Sequence, residues 1–381
     1  PTGTAPASTP VPGLVPTEIA PPEPTTSLPG LDDYLFGEPQ VVLTNPRRYI
    51  GIAGWLPDSE HLLITRGDPE RPLREFIETF NVRTGDVRRL GERDSLSVKP
   101  LWLPAMQEVA YTDWVGKEYR ALYTSRGETA ERQTIATKLS SLHIGADPRG
   151  QQIVFFTEAA GERPQLWDVQ RETVQSLPFI LAPLAYTTGP MMPSPYLIAW
   201  HPSEDKVAFY NNYHFFMADL NTGRMPEVDL GDWNGLELWA MEAQWSPDGR
   251  YLALLVTVGD LPVPFVDLAV LDTDTGKFHM LDRDPQDKNI SLSDVAWAPD
   301  SQHLLILGEL TWQEREAEDV SSHLYLVDAL TGKFRPILSN HALGGGDGGW
   351  NLAWSPDGQR LAVNCPTSEE GRLCVIAVTA P

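Results

Sequence analysis

The chain has 381 residues, of which 41% are hydrophobic and 21% are charged, an ordinary balance for a globular protein with a buried core. Its 29 basic and 52 acidic residues give a formal net charge of −23, which disfavours nucleic acid and anionic lipid as partners. No apolar run approaches the roughly 18 residues that a membrane span requires, so none is predicted.

Residues 1–36 are rich in Pro and Thr and poor in large apolar side chains. This composition cannot bury a core and predicts an extended tail or stalk. The segment contains neither an initiator Met nor a basic, apolar leader, so we expect an exported chain whose signal segment has been removed. The predicted location is extracytoplasmic (secreted, cell-surface or periplasmic), with the tail as a possible surface tether.

A short turn motif recurs through residues 37–381, which we predict to form one domain. Trp-Ser-Pro-Asp-Gly occupies residues 245–249 and 354–358, related forms lie at 55–58, 102–104, 200–202 and 297–300, and a degenerate copy lies at 146–150. Pro presets φ for a tight turn, and Asp and Gly tolerate the bent backbone after it. Successive motif prolines are 47, 44, 54, 45, 52 and 57 residues apart, a spacing that indicates a repeat architecture.

Each motif stands between two short apolar segments that are typical of β-strands. A second turn, Asp-x-x-Thr-Gly, follows at 219–223, 272–276 and 328–332, and Asn replaces Asp at 81–85. The unit is therefore four antiparallel strands, which is a β-propeller blade. The predicted blades lie near residues 47–90, 96–137, 140–178, 195–230, 241–281, 292–338 and 350–378. Six blades remain the alternative if residues 100–180 hold one blade and an insertion.

These two motifs resemble the WD40-like repeat of TolB-type β-propellers over residues 47–378. The resemblance implies the fold and leaves function open, because such blades occur in scaffold proteins, lyases and peptidases. TolB-type proteins carry an α/β domain before the propeller, whereas a Pro/Thr-rich segment precedes it here.

The last predicted blade has three strands, and a spare apolar strand lies at residues 38–44. We therefore expect Gln40 to Leu43 to pair outside Leu373 to Val378, complete this blade and close the ring. Cys365 and Cys374, the two cysteines of the chain, flank the hairpin at 366–371. Their near-opposite positions predict a disulfide.

Long insertions fall at the second turns and the inter-blade links, which share one face of the ring. We call this the loop-rich face, and loops on a rigid scaffold are where binding usually resides. The candidate binding residues on it are Tyr186, Trp233, Trp239, Trp312, Glu314, Glu316, Asp319 and Asp347. The alternative for each is solvent-exposed loop decoration. The motif Trp residues are predicted to pack between neighbouring blades, with ligand binding as the alternative.

Few motifs with established chemistry are present. Residues 344–349 match G-x-G-x-x-G but open no helix, so the dinucleotide interpretation fails. No catalytic or metal motif is recognised; Ca²⁺ is conceivable but no motif supports it. If an enzyme gathers groups around the central channel, His143, Asp294 and Glu242 are the first to examine.

The sequence predicts a non-catalytic, exported seven-bladed β-propeller that binds a protein partner or self-associates at the cell surface. The alternative is a carbohydrate-binding or carbohydrate-active propeller, a lyase or hydrolase, with its site at the channel mouth.

Overall fold

In the computed structural model the chain folds into seven antiparallel sheets, the blades of a β-propeller. The structure describes residues 29–46, 50–71, 73–94, 98–116, 118–125, 127, 132–141, 143–160, 163–181, 197–210, 215–228, 232–233, 236–258, 265–281, 290–310, 322–341, 343, 350–367 and 369–380. Residues 1–28 of the predicted tail lie outside these ranges. None of the helices in the described ranges has the length and apolarity that a membrane crossing requires.

The described chain begins with a 3₁₀ helix (Leu31–Asp33), β1 (Leu35–Phe36) and β2 (Gln40–Asn45). Blade 1 contains β3 (Ile50–Trp55), β4 (His61–Gly67), β5 (Arg74–Asn81) and β6 (Val87–Asp94). Blade 2 contains β7 (Leu101–Leu103), β8 (Glu108–Val115), β9 (Tyr119–Ser125) and β10 (Gln133–Thr137). Blade 3 contains β11 (Gly145–Ala146), β12 (Gln152–Phe155), β13 (Gln165–Asp168) and β14 (Thr173–Ser176), with a 3₁₀ helix at Glu158–Ala160.

Blade 4 contains β15 (Leu197–Trp200), β16 (Lys206–Tyr210) and β17 (Phe215–Asp219). Blade 5 contains β18 (Asp232–Trp233), β19 (Leu236–Trp245), β20 (Tyr251–Val258), β21 (Phe265–Asp272) and β22 (Lys277–Met280). Blade 6 contains β23 (Ile290–Trp297), β24 (His303–Leu310), β25 (Ser322–Asp328) and β26 (Phe334–His341). Blade 7 contains β27 (Leu352–Trp354), β28 (Arg360–Asn364) and β29 (Gly371–Thr379).

The inner strands contact one another around the ring, from β7 through β11, β15, β19, β23 and β27 to β3, and β6 contacts β8 between blades 1 and 2. The core consists of apolar layers between successive blades. The prediction of an all-β, seven-bladed propeller is confirmed, and the six-blade alternative is wrong.

Blade 4 has a three-stranded ladder, and two isolated bridges stand where its fourth strand is expected. They join Asp219 to Arg224 and Phe216 to Glu227. Pro226 lies between them, and its carbonyl accepts a hydrogen bond from Met217 N at 3.0 Å. Because proline has no backbone N–H, Pro226 cannot donate a hydrogen bond back to β17, and the hydrogen-bond ladder is interrupted there.

Both recurring turns are held by their own side chains. Asp328 Oδ1 accepts the backbone N–H groups of Leu330 and Thr331 at 2.9 and 3.0 Å, and Gly332 has φ of +69°. In the Trp-Ser-Pro-Asp-Gly turn, Ser246 Oγ donates to Asp248 Oδ1 at 2.6 Å. Glycine reaches such φ values without the steric cost of a Cβ, although Ser59 and Ser301 adopt positive φ at the corresponding position of two other copies of the Trp-Ser-Pro-Asp-Gly turn.

The motif Trp side chains pack between blades, as their structural interpretation predicts. Three indole Nε1 groups donate to main-chain carbonyls of the preceding blade: Trp55 to Ala353 at 3.1 Å, Trp245 to Ala199 at 3.1 Å and Trp297 to Gln244 at 2.9 Å. Each tryptophan thus supplies apolar contact and satisfies its only donor.

The outer edge of blade 7 is formed by the N-terminal strands. β2 pairs antiparallel with β29, with Gln40 opposite Val375 and Leu43 opposite Leu373, which is the partner strand that the sequence predicts. β1 pairs with the end of β29. That this pairing is what closes the ring stays a prediction. Cys365 and Cys374 form a disulfide in the same blade, with Cα atoms 5.9 Å apart.

Tyr34 anchors the N-terminal segment to blades 6 and 7. Its ring packs edge-on against Trp354, and its hydroxyl donates to Asp300 Oδ2 at 2.6 Å. Burial alone would raise the pKa of Asp300, but hydrogen bonds from His303 and Tyr34 outweigh it and lower the pKa to about 2. The hydroxyl therefore donates to a charged carboxylate.

We expect Tyr34→Phe to lower the free energy of unfolding by about 1.5 kcal/mol, because the lost hydrogen bond has a charged acceptor. Urea titration of Tyr34→Phe, Asp300→Asn and the double variant tests this. The two single effects should not add, since both remove one interaction. Additive effects would show that the hydroxyl stabilises the segment in another way.

Candidate functional site: the channel lining and a charged cavity between blades 1 and 2

The predicted binding residues fall largely outside the part of the chain that the structure describes. This applies to Tyr186, Trp312, Glu314, Glu316, Asp319 and Asp347. The backbone of Trp233 lies in β18 and that of Trp239 in β19. The choice of these eight residues stays a prediction.

Two of the three channel residues named from the sequence carry interacting carboxyl groups. Glu242 lies in β19 and Asp294 in β23, each directly after a β-bulge. Burial, reinforced by the charge of Asp294, raises the pKa of Glu242 to about 8. Burial raises the pKa of Asp294 to about 6, and the positive charge of Lys99 opposes the rise in both groups.

Asp294 also forms hydrogen bonds with the backbone of the next blade. Its Oδ2 accepts the backbone N–H groups of Asn351 and Leu352 from the next blade, at 2.5 and 3.0 Å. The carboxylate therefore links blades 6 and 7. His143, the third channel candidate, has its pKa lowered to about 4 by burial, which keeps the imidazole neutral at pH 7.

Within the described ranges, no group of three or more His, Cys, Asp or Glu side chains is placed to hold a metal ion. Glu242 and Asp294 do interact, and pairs of carboxyl groups with perturbed pKa values occur often at functional sites.

A second site lies between blades 1 and 2, where β6 faces β8. A cavity of about 700 Å³ is lined by Arg74, Arg89, Gly91, Glu92, Asp94, Tyr111, Asp113, Trp114, Gly116, Gly127 and Arg132. Arg74, Asp94 and Gly116 stand at strand ends on the loop-rich face. The cavity thus reaches the face on which the sequence predicts binding, although not at the predicted residues or the channel mouth.

Ion pairs fix most of the charged walls. Arg74 Nη1 donates to Glu92 Oε1 at 2.6 Å, and Arg132 Nη1 donates to Asp113 Oδ2 at 2.6 Å. Asp113 is 6% exposed, and its Oδ1 also accepts the backbone N–H groups of Asp94 and Trp114. Asp113 therefore joins the two blades across the cavity.

Aromatic rings complete the walls. Tyr111 is 2% exposed, and burial raises the pKa of its phenol. The guanidinium of Arg132 lies over the ring of Tyr123 at 4.2 Å, and that of Arg120 lies over Trp114 at 4.5 Å. At Gly91, an added Cβ would lie 3.4 Å from the Tyr111 ring, which is van der Waals contact.

The residues of this cavity were not predicted from the sequence, although the local charge composition distinguishes this part of the chain. Residues 66–132 contain 10 of the 22 arginines, and their 12 basic and 12 acidic residues cancel. The remaining 314 residues contain 17 basic and 40 acidic ones. A neutral, arginine-rich section in a chain of net charge −23 marks blades 1 and 2 as different from the rest.

Several solved structures share this fold at low sequence identity. An oligogalacturonate lyase from Vibrio parahaemolyticus is 11% identical over 91% of each chain, with a TM-score of 0.59. The Myceliophteria thermophila Cps50 (Swd1) β-propeller domain is 14% identical over 90% of this chain and 100% of that one, with a TM-score of 0.57. A putative TolB from Agrobacterium tumefaciens is 14% identical over 91% and 97%, with a TM-score of 0.48.

No protein-family model and no curated protein matches the chain. At these identities the structural similarity shows the fold alone. The chain is therefore a seven-bladed β-propeller, and its two turn motifs resemble the WD40-like repeat.

Proposed function

We propose that this protein is a non-catalytic binding module that holds a saccharide in the cavity between blades 1 and 2. The observation that carries the proposal is the cavity itself, whose volume of about 700 Å³ lies within the usual range for ligand sites. Its walls are fixed by ion pairs before any ligand arrives, and such pre-organisation lowers the entropic cost of binding.

The composition of the walls supports a sugar rather than an apolar ligand. Carboxylates of Glu92 and Asp94 accept hydrogen bonds from hydroxyl groups, and the guanidinium of Arg74 donates them. Trp114 offers an amphipathic ring edge beside these groups. The oligogalacturonate lyase that shares the fold acts on a saccharide by its name, which adds support for this ligand class.

A non-catalytic role is supported by how the charged groups of the cavity are used. Asp113 is held by Arg132 and two backbone N–H groups, and Glu92 is held by Arg74. These carboxylates therefore hold the cavity walls together through contacts within the protein, which is a structural use rather than a catalytic one.

Calorimetric titration with neutral and acidic oligosaccharides of three to six units tests the proposal. At least one should bind, and Arg74→Ala should weaken its binding by about tenfold, because one guanidinium and its ion pair are removed. Arg83→Ala is the matched control, since Arg83 is 68% exposed and pairs with Glu60 on the opposite face. If no oligosaccharide binds, or if both variants bind equally well, the cavity is not a saccharide site.

A protein partner or self-association is the second candidate, favoured by one exposed side chain. Leu73 directly precedes Arg74 at the cavity mouth and is 78% exposed. Light scattering of the whole chain, of a variant lacking residues 1–30 and of Leu73→Ser tests it. A larger mass for the whole chain than for either variant would support assembly. The mass of a monomer for all three proteins would exclude it.

An extracytoplasmic location belongs to the same proposal. The disulfide between Cys365 and Cys374 supports it, because such bonds form and persist mainly in oxidising compartments. Export would expose the cavity to extracellular or cell-wall saccharides.

A further inference from the structure

The three arginines of the cavity are engaged to different degrees. Arg74 and Arg132 each have a carboxylate oxygen at 2.6 Å. Arg89 Nε lies 3.9 Å from Glu78 Oε1, which is beyond hydrogen-bond distance. Glu78 is already held by Arg66 through two hydrogen bonds of 2.9 and 3.0 Å. Arg89 is therefore the cavity arginine whose charge is least compensated.

Arg89 is also held in position. Its guanidinium carbon lies 3.5 Å from the centroid of the Phe76 ring, and a cation over an aromatic face is attracted by the ring quadrupole. The side chain is 43% exposed, so its donors are accessible from the cavity. A positioned guanidinium binds a planar carboxylate or a sulfate through two parallel hydrogen bonds, at a low entropic cost.

The surroundings allow an anion to approach. Most of the chain is strongly acidic, but residues 66–132 carry no net charge. The carboxylates of Glu92 and Asp113 pair with Arg74 and Arg132, and Asp94 lies 3.8 Å from Arg74 Nε. An anion entering the cavity therefore meets the weakly compensated charge of Arg89 beside carboxylates that already have cationic neighbours, and the Debye length of about 8 Å at physiological salt screens more distant acidic groups.

We propose that the cavity selects an acidic saccharide, whose anionic group pairs with Arg89. This inference rests on the proposed function, because it names the ligand class of the same site. Arg74 would donate hydrogen bonds to the hydroxyl groups of the sugar, Glu92 and Asp94 would accept hydrogen bonds from them, and Arg89 would set the preference for charge.

Trigalacturonate and its fully methyl-esterified form are suitable probes, since they share one skeleton and differ in charge. We expect trigalacturonate to bind roughly 10- to 100-fold more tightly than the ester, the range for a charge-assisted hydrogen bond. Arg89→Gln should abolish this preference, and Arg89→Lys should restore part of it. Raising the salt from 50 to 500 mM should weaken binding of the acid and leave the ester unchanged.

Arg83→Gln is the control for removal of one positive charge from the same blade, and it should keep the preference. A sulfated galactose trisaccharide distinguishes the anion: tighter binding than the carboxylate assigns sulfate, and weaker binding assigns carboxylate. Equal binding of the acid and the ester to the native protein would overturn the inference while leaving the proposed function intact. Binding of no saccharide would overturn the proposed function itself.

Discussion

Replacing Arg93 by methionine is expected to lower the free energy of unfolding by about 3 to 5 kcal/mol. The Arg93 side chain is fully buried, its Nε donates to Glu75 Oε1 at 2.5 Å, and the Glu75 side chain is 1% exposed. The Nη2 group donates to the carbonyl of Val98, at the entrance to blade 2. Methionine has a similar length but no charge, so it leaves the buried Glu75 carboxylate without the positive charge of Arg93.

Urea denaturation followed by tryptophan fluorescence measures this effect as a lower midpoint. The exposed pair of Arg83 and Glu60, 3.4 Å apart, provides the control, and Arg83→Met should change stability by less than about 1 kcal/mol. The double variant Glu75→Met with Arg93→Met should be more stable than Arg93→Met, because no charge is left buried. An equal decrease in the free energy of unfolding for Arg93→Met and Arg83→Met would show that the buried ion pair does not stabilise the fold.

Between pH 6.5 and 8 the protein should lose about 2 kcal/mol of stability as the pH rises. Folding raises the pKa of Glu242 from 4.5 to about 8, so the folded state binds more protons than the unfolded state in this window. Raising the pH then favours unfolding. His143 opposes this loss only weakly, because its pKa is lowered from 6.5 to about 4 and most of its gain in stability with rising pH falls below pH 6.5.

Glu242→Gln should flatten this dependence and make the protein more stable than the native form above pH 8, since the amide never ionises. Lys99→Met should steepen the dependence, because the positive charge of Lys99 lowers the pKa of Glu242. Glu60→Gln, at an exposed position, serves as the control. Urea midpoints at half-unit pH steps measure the slope, and the same slope in native protein and Glu242→Gln would contradict a raised pKa at this site.

The fold could be predicted from the sequence because its information is local and repeated. A turn such as residues 354–358 needs Ser355, Asp357 and Gly358 for its own hydrogen bonds and backbone angles. The strands follow from the apolar segments between such turns. The pairing of β2 with β29 could be predicted because the last blade had only three predicted strands, and the apolar strand at residues 38–44 belonged to no other blade.

The cavity could not be predicted in this way, because its walls consist of side chains from two blades, and the sequence does not indicate which of these side chains contact one another. Arg132 meets Asp113 across a loop, and Arg89 depends on Phe76 in a neighbouring strand. The three channel candidates named from the sequence follow a simpler rule. His143, Glu242 and Asp294 stand three positions before a motif Trp or its counterpart, and Lys99 has the same position before Trp102. Lys99 occupies the same position in its blade and interacts with both carboxyl groups. This interaction was not predicted from the sequence, because most lysine side chains are exposed to solvent.

The position of β1 and β2 on β29 has a mechanical consequence. Leu35 lies opposite Thr379, so β1 and β2 form the outer edge of blade 7. Tyr34, directly before β1, contacts Trp354 and donates a hydrogen bond to Asp300. A force applied to the N-terminal segment would therefore act on these contacts before it reached the pairing of β1 with β29, so Tyr34 protects the edge of blade 7 against detachment.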